Sequence, residues 1–236
     1  TSKEGFNSIL EGNIDNLKII KRQNLTGKEL WISLNNGISI LNLDTKEFNN
    51  FKFNPRSKNK FPQGFSSAII SNKNEVWLTN SSTGLYRYDE NNLDEINHYI
   101  FDINDKNSIT SSSLTDIYEY DDKLYISSNG DGIFIYENDS SGFLHLTIDN
   151  GLLSNQVLNF FETYEYLFVL TELGLNYFDY DGNLRNINDE DGLIVGNFLK
   201  NGLSLYNDFL YVYSNDQIQS IDINNIFVDN VKPIIN

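Results

Sequence analysis

Few side chains in this chain are equipped for chemistry. His98 and His145 are its only histidines, and cysteine is absent. Thiol catalysis, thiolate-bound zinc and disulfides are therefore excluded. A general base would have to be one of the two histidines or a carboxylate. Both histidines fall in segments that read as outer strands, where a surface role is the simpler account. No serine occupies a nucleophile elbow, and no glycine-rich phosphate loop occurs. Asn129-Gly130-Asp131-Gly132 and Asp179-Tyr180-Asp181-Gly182-Asn183 carry oxygens of the kind calcium takes, but not at the spacing of an EF-hand loop. Turn formation by Asp and Asn accounts for both. No catalytic residue, metal ligand or cofactor is assigned.

What would position a site is a repeated strand pattern. Val76-Trp77-Leu78-Thr79-Asn80-Ser81-Ser82-Thr83-Gly84-Leu85-Tyr86-Arg87-Tyr88-Asp89 reads as an apolar strand, a polar turn, a glycine and an alternating strand. The pattern returns at 30–44, 124–136, 167–179 and 210–222. Its aromatic residues Trp31, Trp77, Tyr125, Phe168 and Tyr211 are 46, 48, 43 and 43 residues apart. Such a period, carried by short strands, is the mark of a propeller or an array. First strands are expected near 17–21, 65–70, 114–119, 157–162 and 199–206, and outer strands near 48–53, 96–100, 143–146 and 184–187. No helical period persists over a dozen residues.

The repeats run over roughly 13–53, 62–100, 112–147, 153–188 and 197–223, and the fifth has no outer strand of its own. Phe6–Leu10 has that character instead. The expectation is a single all-β domain over 1–236, a β-propeller of four-stranded antiparallel blades. The repeats add up to a five-bladed ring closed by the strand at 6–10. The recurring aromatics should pack between blades. Gly37, Gly84, Gly132 and Gly174 should hold φ > 0 after the polar turn. Asp216-Gln217 stands where the fifth glycine would be, so that turn must differ.

Composition narrows the partners. A net charge of −16, from 33 acidic and 17 basic residues, repels nucleic acid and anionic membranes. No run of about 18 apolar residues exists, so no membrane segment is expected. Thr1-Ser2-Lys3-Glu4 has no signal-peptide character and reads as either an artificial start or the middle of a longer chain.

In a propeller of this topology the second-to-third turns and the inter-blade linkers emerge at the same end. That end would gather Asn35, Asn36, Asn80, Ser81, Ser82, Asn129, Asp131, Glu172, Asn215 and Asp216. Amides, hydroxyls and carboxylates suit a hydroxyl-rich ligand such as a glycan, although Asn and Ser are also ordinary turn residues.

The chain resembles the two-component regulator propeller repeat family. The resemblance rests on the leader Gly151-Leu152-Leu153-Ser154-Asn155-Gln156-Val157 and on Leu30-Trp31-Ile32-Ser33 and Val76-Trp77-Leu78-Thr79. It rests also on the endings Gly84-Leu85-Tyr86-Arg87-Tyr88-Asp89 and Gly174-Leu175-Asn176-Tyr177-Phe178-Asp179. Asp191-Gly192-Leu193 and Lys232-Pro233 are similar to the end of such an array. The resemblance implies a periplasmic sensor region of a hybrid two-component histidine kinase of the Bacteroidetes type, itself non-catalytic. It also implies an oligosaccharide ligand and a homodimer formed through the full-length receptor. The kinase would lie outside this chain. Arrays of the family are usually longer, often with seven-bladed rings, so the resemblance implies part of a seven-bladed propeller as the alternative to a closed five-bladed ring. A propeller lyase or glycoside hydrolase, which needs a close carboxylate pair, and a protein-interaction scaffold are the alternatives.

Overall fold

The structure, a computed structural model, describes residues 14–20, 28–54, 61–71, 73–89, 92–93, 96–179 and 181–226. The outer strand expected at 6–10 and the array end at Lys232-Pro233 lie outside the described residues. The chain divides into two compact units, Thr1–His98 and Tyr99–Asn236.

Five antiparallel sheets carry the fold, each a meander in chain order. The first is β1 (Ile14–Ile20), β2 (Glu29–Leu34), β3 (Gly37–Asn42) and β4 (Phe48–Lys52). The second is β5 (Ser67–Ile70), β6 (Glu75–Asn80), β7 (Gly84–Asp89) and β8 (Ile96–Tyr99). The third is β9 (Leu114–Tyr120), β10 (Lys123–Ser128), β11 (Ile133–Tyr136) and β12 (Phe143–Leu146). The fourth is β13 (Val157–Glu162), β14 (Leu167–Thr171), β15 (Gly174–Phe178) and β16 (Leu184–Ile187). The fifth has three described strands, β17 (Phe198–Tyr206), β18 (Phe209–Ser214) and β19 (Ile218–Asp222). Helical structure among the described residues is limited to single 3-10 turns such as Ile148–Asn150 and Asp189–Asp191.

Within each unit the first strands of successive sheets lie side by side, β1 by β5, β9 by β13 and β13 by β17. The sheets thus stack face to face, and their middle strands are covered on both faces. This is why β14 and β15 are buried at every position while β4 is buried at none. Three interlayers follow. Trp31, Ile38 and Ile40 of the first sheet meet Ala68, Val76, Leu78 and Tyr88 of the second. Tyr125 and Ile133 of the third meet Val157, Phe160, Val169 and Phe178 of the fourth. Phe168, Leu170 and Leu175 meet Phe198, Leu203, Leu210 and Val212 of the fifth. Each fully buried large side chain contributes about 2–3 kcal/mol. Trp31, Tyr125 and Phe168 pack as the repeat pattern requires, Trp77 is fully buried, and Tyr211 is only half-buried.

The two tryptophans bring a partner. Trp31 Nε1 donates to Glu29 Oε2 at 3.0 Å, and Trp77 Nε1 to Glu75 Oε2 at 3.2 Å. A residue two positions back shares the strand face, so the carboxylate reaches the indole. Arg87, opposite Trp77 in the ladder, sits 5.4 Å over its ring and 3.5 Å from Glu75. Where the aromatic is Tyr125, Phe168 or Tyr211, the glutamate gives way to Lys123, Tyr166 or Phe209. The acid is retained only where a buried N–H needs an acceptor.

The glycine expectation holds: φ is +134° at Gly37, +93° at Gly84, +76° at Gly132 and +139° at Gly174. A Cβ at Gly132 would lie 2.2 Å from Leu146 O of the outer strand, and one at Gly37 2.1 Å from Phe51 O. The outer strand closes directly onto the glycine. In the fifth sheet no described outer strand flanks β19, and Gln217 takes the place with ordinary φ.

Candidate functional site

The turn-and-linker end is built as the topology requires inside each unit. In the first unit, Asn35 and Asn36 form the exposed two-residue turn between β2 and β3, and Gln63 Nε2 donates to Asn35 O at 2.8 Å. Ser81 and Ser82 lie exposed in the turn after β6. Asn80 is buried and committed to the fold: its Nδ2 donates to Gly64 O at 2.8 Å, and its Oδ1 accepts from Ser82 N at 2.8 Å and Thr83 N at 2.9 Å. In the second unit, Asn129, Asp131, Glu172, Asn215 and Asp216 are exposed in the equivalent turns. Linker carbonyls tie these turns down. Asn155 O accepts from Gly132 N at 2.9 Å, Gln156 O from Glu172 N at 3.2 Å, and Asn197 O from Asn215 N at 3.1 Å. Asn35, Asn36 and Asn80–Ser82 thus share one end of their unit, and the other five share the same end of theirs.

Both histidines serve this end from the outer strand. His98 Nε2 donates to Thr83 O at 2.6 Å and its ring stacks on Tyr86 at 4.2 Å. His145 Nε2 donates to Asp131 O at 2.6 Å and stacks on Phe134 at 4.6 Å. Each therefore anchors a second-to-third turn. The third-strand position of Tyr86 and Phe134 is Asn176 in the fourth sheet and Gln219 in the fifth. Asn176 Oδ1 accepts from Leu153 N at 3.0 Å and its Nδ2 donates to Gly151 O at 3.2 Å. Gln219 Oε1 accepts from Ile194 N at 2.7 Å and its Nε2 donates to Ile194 O at 2.9 Å. Two linkers are thereby held by a buried amide. Their leaders are capped 3-10 turns: Thr147 with Asn150, and Asn188 with Asp191, each followed by a left-handed glycine, Gly151 or Gly192.

A cleft of about 900 Å3 opens at the opposite end of the strands, between the third and fourth sheets. Tyr125, Ile135, Phe143, Leu146, Phe178 and Leu184 form its apolar wall. Tyr120, Tyr164, Asp121, Glu137, Glu162 and Asp179 bring polar groups, and Lys123 is its one cation among the described residues. The first-to-second and third-to-fourth turns shape it. Asp121 and Asp122 hold φ of +49° and +58° between the paired Tyr120 and Lys123, a tight hairpin with both loop residues left-handed. Asp179 Oδ1 accepts from Asp181 N at 3.1 Å and Asn183 N at 2.8 Å, so its carboxylate closes the third-to-fourth connection. Among the described residues no group of three or more acidic or histidine side chains is placed to hold a metal.

The electrostatics of the cleft are negative. Burial, then the hydrogen bond to Glu162 and the charges of Glu162 and Asp116, push the Tyr118 hydroxyl up to about 12. Burial, then Asp121 and Tyr120, push Tyr125 up to about 12. At Asp179 burial is the largest single effect and raises the carboxyl, but hydrogen bonds from Asn183 and the bond and charge of Arg185 together outweigh it, so the carboxyl lies below the ordinary value. A general acid needs the opposite shift. The sequence signal for this cleft was the recurrence of tyrosine with acid in first-to-second turns, Tyr118-Glu119-Tyr120-Asp121-Asp122 and Glu162-Thr163-Tyr164-Glu165-Tyr166.

No protein-family model and no curated protein matches the sequence. Solved structures match the fold. The extracellular domain of the proposed hybrid two-component system BT3049 from B. thetaiotaomicron superposes with a TM-score of 0.67 at 16% identity over 96% of this chain and 30% of its own. The extracellular domain of BT4673 from the same organism gives 0.68 at 13% identity over 89% of this chain and 28% of its own. PorZ, a surface component of the type-IX secretion system of Porphyromonas gingivalis, gives 0.61 at 12% over 92% and 27%. The likeness is one of fold. These neighbours have propeller-like folds, and the chain spans under a third of each. No helix among the described residues is long and apolar enough to cross a membrane.

Proposed function

We propose that the chain is an extracytoplasmic, non-catalytic ligand-sensing propeller from the sensor region of a hybrid two-component histidine kinase. The observation that carries this is fold likeness to extracellular domains of two-component sensors over 96% of the chain. The repeat motifs of the sequence support it. The ring is closed either by residues 6–10 as outer strand of the fifth sheet, or by further blades in a longer protein. A single 1–236 domain follows from the first case.

The ligand is a carbohydrate, bound at the turn-and-linker end. Asn35, Asn36, Ser81, Ser82, Asn129, Asp131, Glu172, Asn215 and Asp216 supply contacts there, and Asn80 shapes the turn beneath Ser81 and Ser82. Hydroxyl-rich ligands fit such a set of amides, hydroxyls and carboxylates on a rigid scaffold. Binding is read out through a periplasmic homodimer of the full-length receptor and a phosphorelay. Calorimetry of the intact receptor ectodomain against an oligosaccharide panel tests the ligand class. Micromolar to millimolar binding that weakens on alanine substitution of Asn36 and Asn215 is expected. Absence of binding across the panel overturns the carbohydrate reading. A parent gene lacking a downstream membrane helix and kinase core overturns the sensor reading.

A further inference from the structure

The cleft between the third and fourth sheets lies at the strand end away from the second-to-third turns, and nothing in the sensing role above uses it. We propose that it is a second binding site, for a small aliphatic amine or guanidine. Its volume of about 900 Å3 is that of a small-molecule site. Its wall is apolar and aromatic, with Tyr125 and Phe178 in contact at 5.0 Å between ring centres. Tyr164 stands fully exposed at the rim.

Charge selects the class of ligand. Asp121, Glu137, Glu162 and Asp179 face one lysine, Lys123, in the lining. Asp179 is already engaged by Arg185 at 3.3 Å and Glu162 accepts from Tyr118 at 3.0 Å. Asp121 is exposed, its charge acts on Tyr120 and Tyr125, and among the described residues its carboxylate takes no hydrogen bond or ion pair. An ammonium or guanidinium group is attracted both to a carboxylate and to the face of a tyrosine ring, and its methylene chain suits the apolar wall. A neutral sugar gains nothing from the charge imbalance, and an acidic one is repelled.

The test is amide-resolved NMR titration of the full chain with agmatine, N-butylacetamide and maltotriose. Agmatine is expected to shift the amides of Asp121, Gly142, Tyr164 and Gly182 with a dissociation constant in the millimolar range or tighter. The neutral amide and the sugar should leave them unmoved. Asp121→Asn and Tyr164→Ala, both at exposed positions, should each weaken agmatine about 3–10-fold while the rest of the spectrum is preserved. Equal shifts from N-butylacetamide overturn the proposal. So do agmatine shifts equally strong around Asp189–Asp191 on the same unit, which would mark general attraction to an acidic surface, or no shift at 10 mM or so. Because the carbohydrate reading is tested at the other strand end, either can fail alone.

Discussion

Gly132→Ala tests whether the third-strand glycine is required by close approach or only by backbone conformation. Gly132 and Gly182 hold nearly the same φ, +76° and +77°. A Cβ at Gly182 meets nothing within 4 Å, whereas at Gly132 it lies 2.2 Å from Leu146 O and 3.4 Å from Leu152 Cδ1. Left-handed alanine costs about 1–2 kcal/mol, offset by about 0.4–1 kcal/mol through a less free unfolded chain. Gly182→Ala should therefore cost about 0.5–1 kcal/mol. Gly132→Ala adds overpacking of about 1–3 kcal/mol and the loss of a ladder hydrogen bond near Leu146, about 1 kcal/mol. The difference of about 2–4 kcal/mol corresponds to a Tm roughly 5–15 °C lower than that of Gly182→Ala for a domain of this size. Thermal melts followed by circular dichroism measure it, with hydrogen exchange at the β12 amides as a local check. Equal melting temperatures for the two variants would refute the close-approach argument.

Asn176→Ala removes the buried amide that holds Gly151 and Leu153, so a loss of about 2–4 kcal/mol is expected in urea unfolding; a change under 0.5 kcal/mol contradicts the linker role. Glu29→Ala leaves the Trp31 indole N–H buried without its acceptor and should cost about 1–3 kcal/mol. Glu29→Gln keeps an acceptor and should cost less, with intrinsic fluorescence following both because the chain has only two tryptophans. Asp208→Gly at φ +64°, which turns the two-residue loop between the paired Tyr206 and Phe209 into Asn-Gly, should raise stability by about 0.5–1 kcal/mol, since glycine suits the second position of this turn; destabilisation would mean its carboxylate does more than turn the chain. Tyr118, Tyr125 and Tyr166 are each pushed up to about 12, burial first in every case. A pKa raised in the folded state gives stability that is full below the unfolded value near 10 and lost as pH climbs toward 12. Absorbance at 295 nm should show a late tyrosine step together with unfolding, and a single step near pH 10 with the fold intact contradicts it.

The strands were legible because their burial is simple. Middle strands covered on both faces read as apolar runs, and glycine marks the point where an outer strand closes in. Expected outer strands at 143–146 and 184–187 coincide with β12 and β16. The turn expected from Asp179, Asp181 and Asn183 was legible for a similarly local reason, the Asp179 carboxylate accepting from the backbone just beyond it. What sequence could not supply was cooperation over distance. Asn176 reads as an odd polar residue in a buried strand until the linker 23 residues earlier is seen to lie against it. Glu29 and Glu75 read as strand-start charges until the indole beside each is seen to need an acceptor. The cleft was missed because its walls come from two sheets, and only stacking brings Tyr125 to Phe178.

The two strand ends differ in what they leave available. At the linker end many polar groups are already paired: Asn80, Asn176, Gln219, His98 and His145 all fasten turns or linkers. A ligand there must use the exposed tips, which are short and separately anchored, so each substitution should weaken binding modestly and in near-additive fashion. At the cleft end Tyr125 and Phe178 share one wall while Asp121 and Tyr164 stand at its edge, so the contacts act on one bound group. Asp121→Asn with Tyr164→Ala should therefore be non-additive for agmatine, the double variant losing less than the product of the single losses if the second contact depends on the first. Strict additivity would mean that the two side chains do not meet the same ligand.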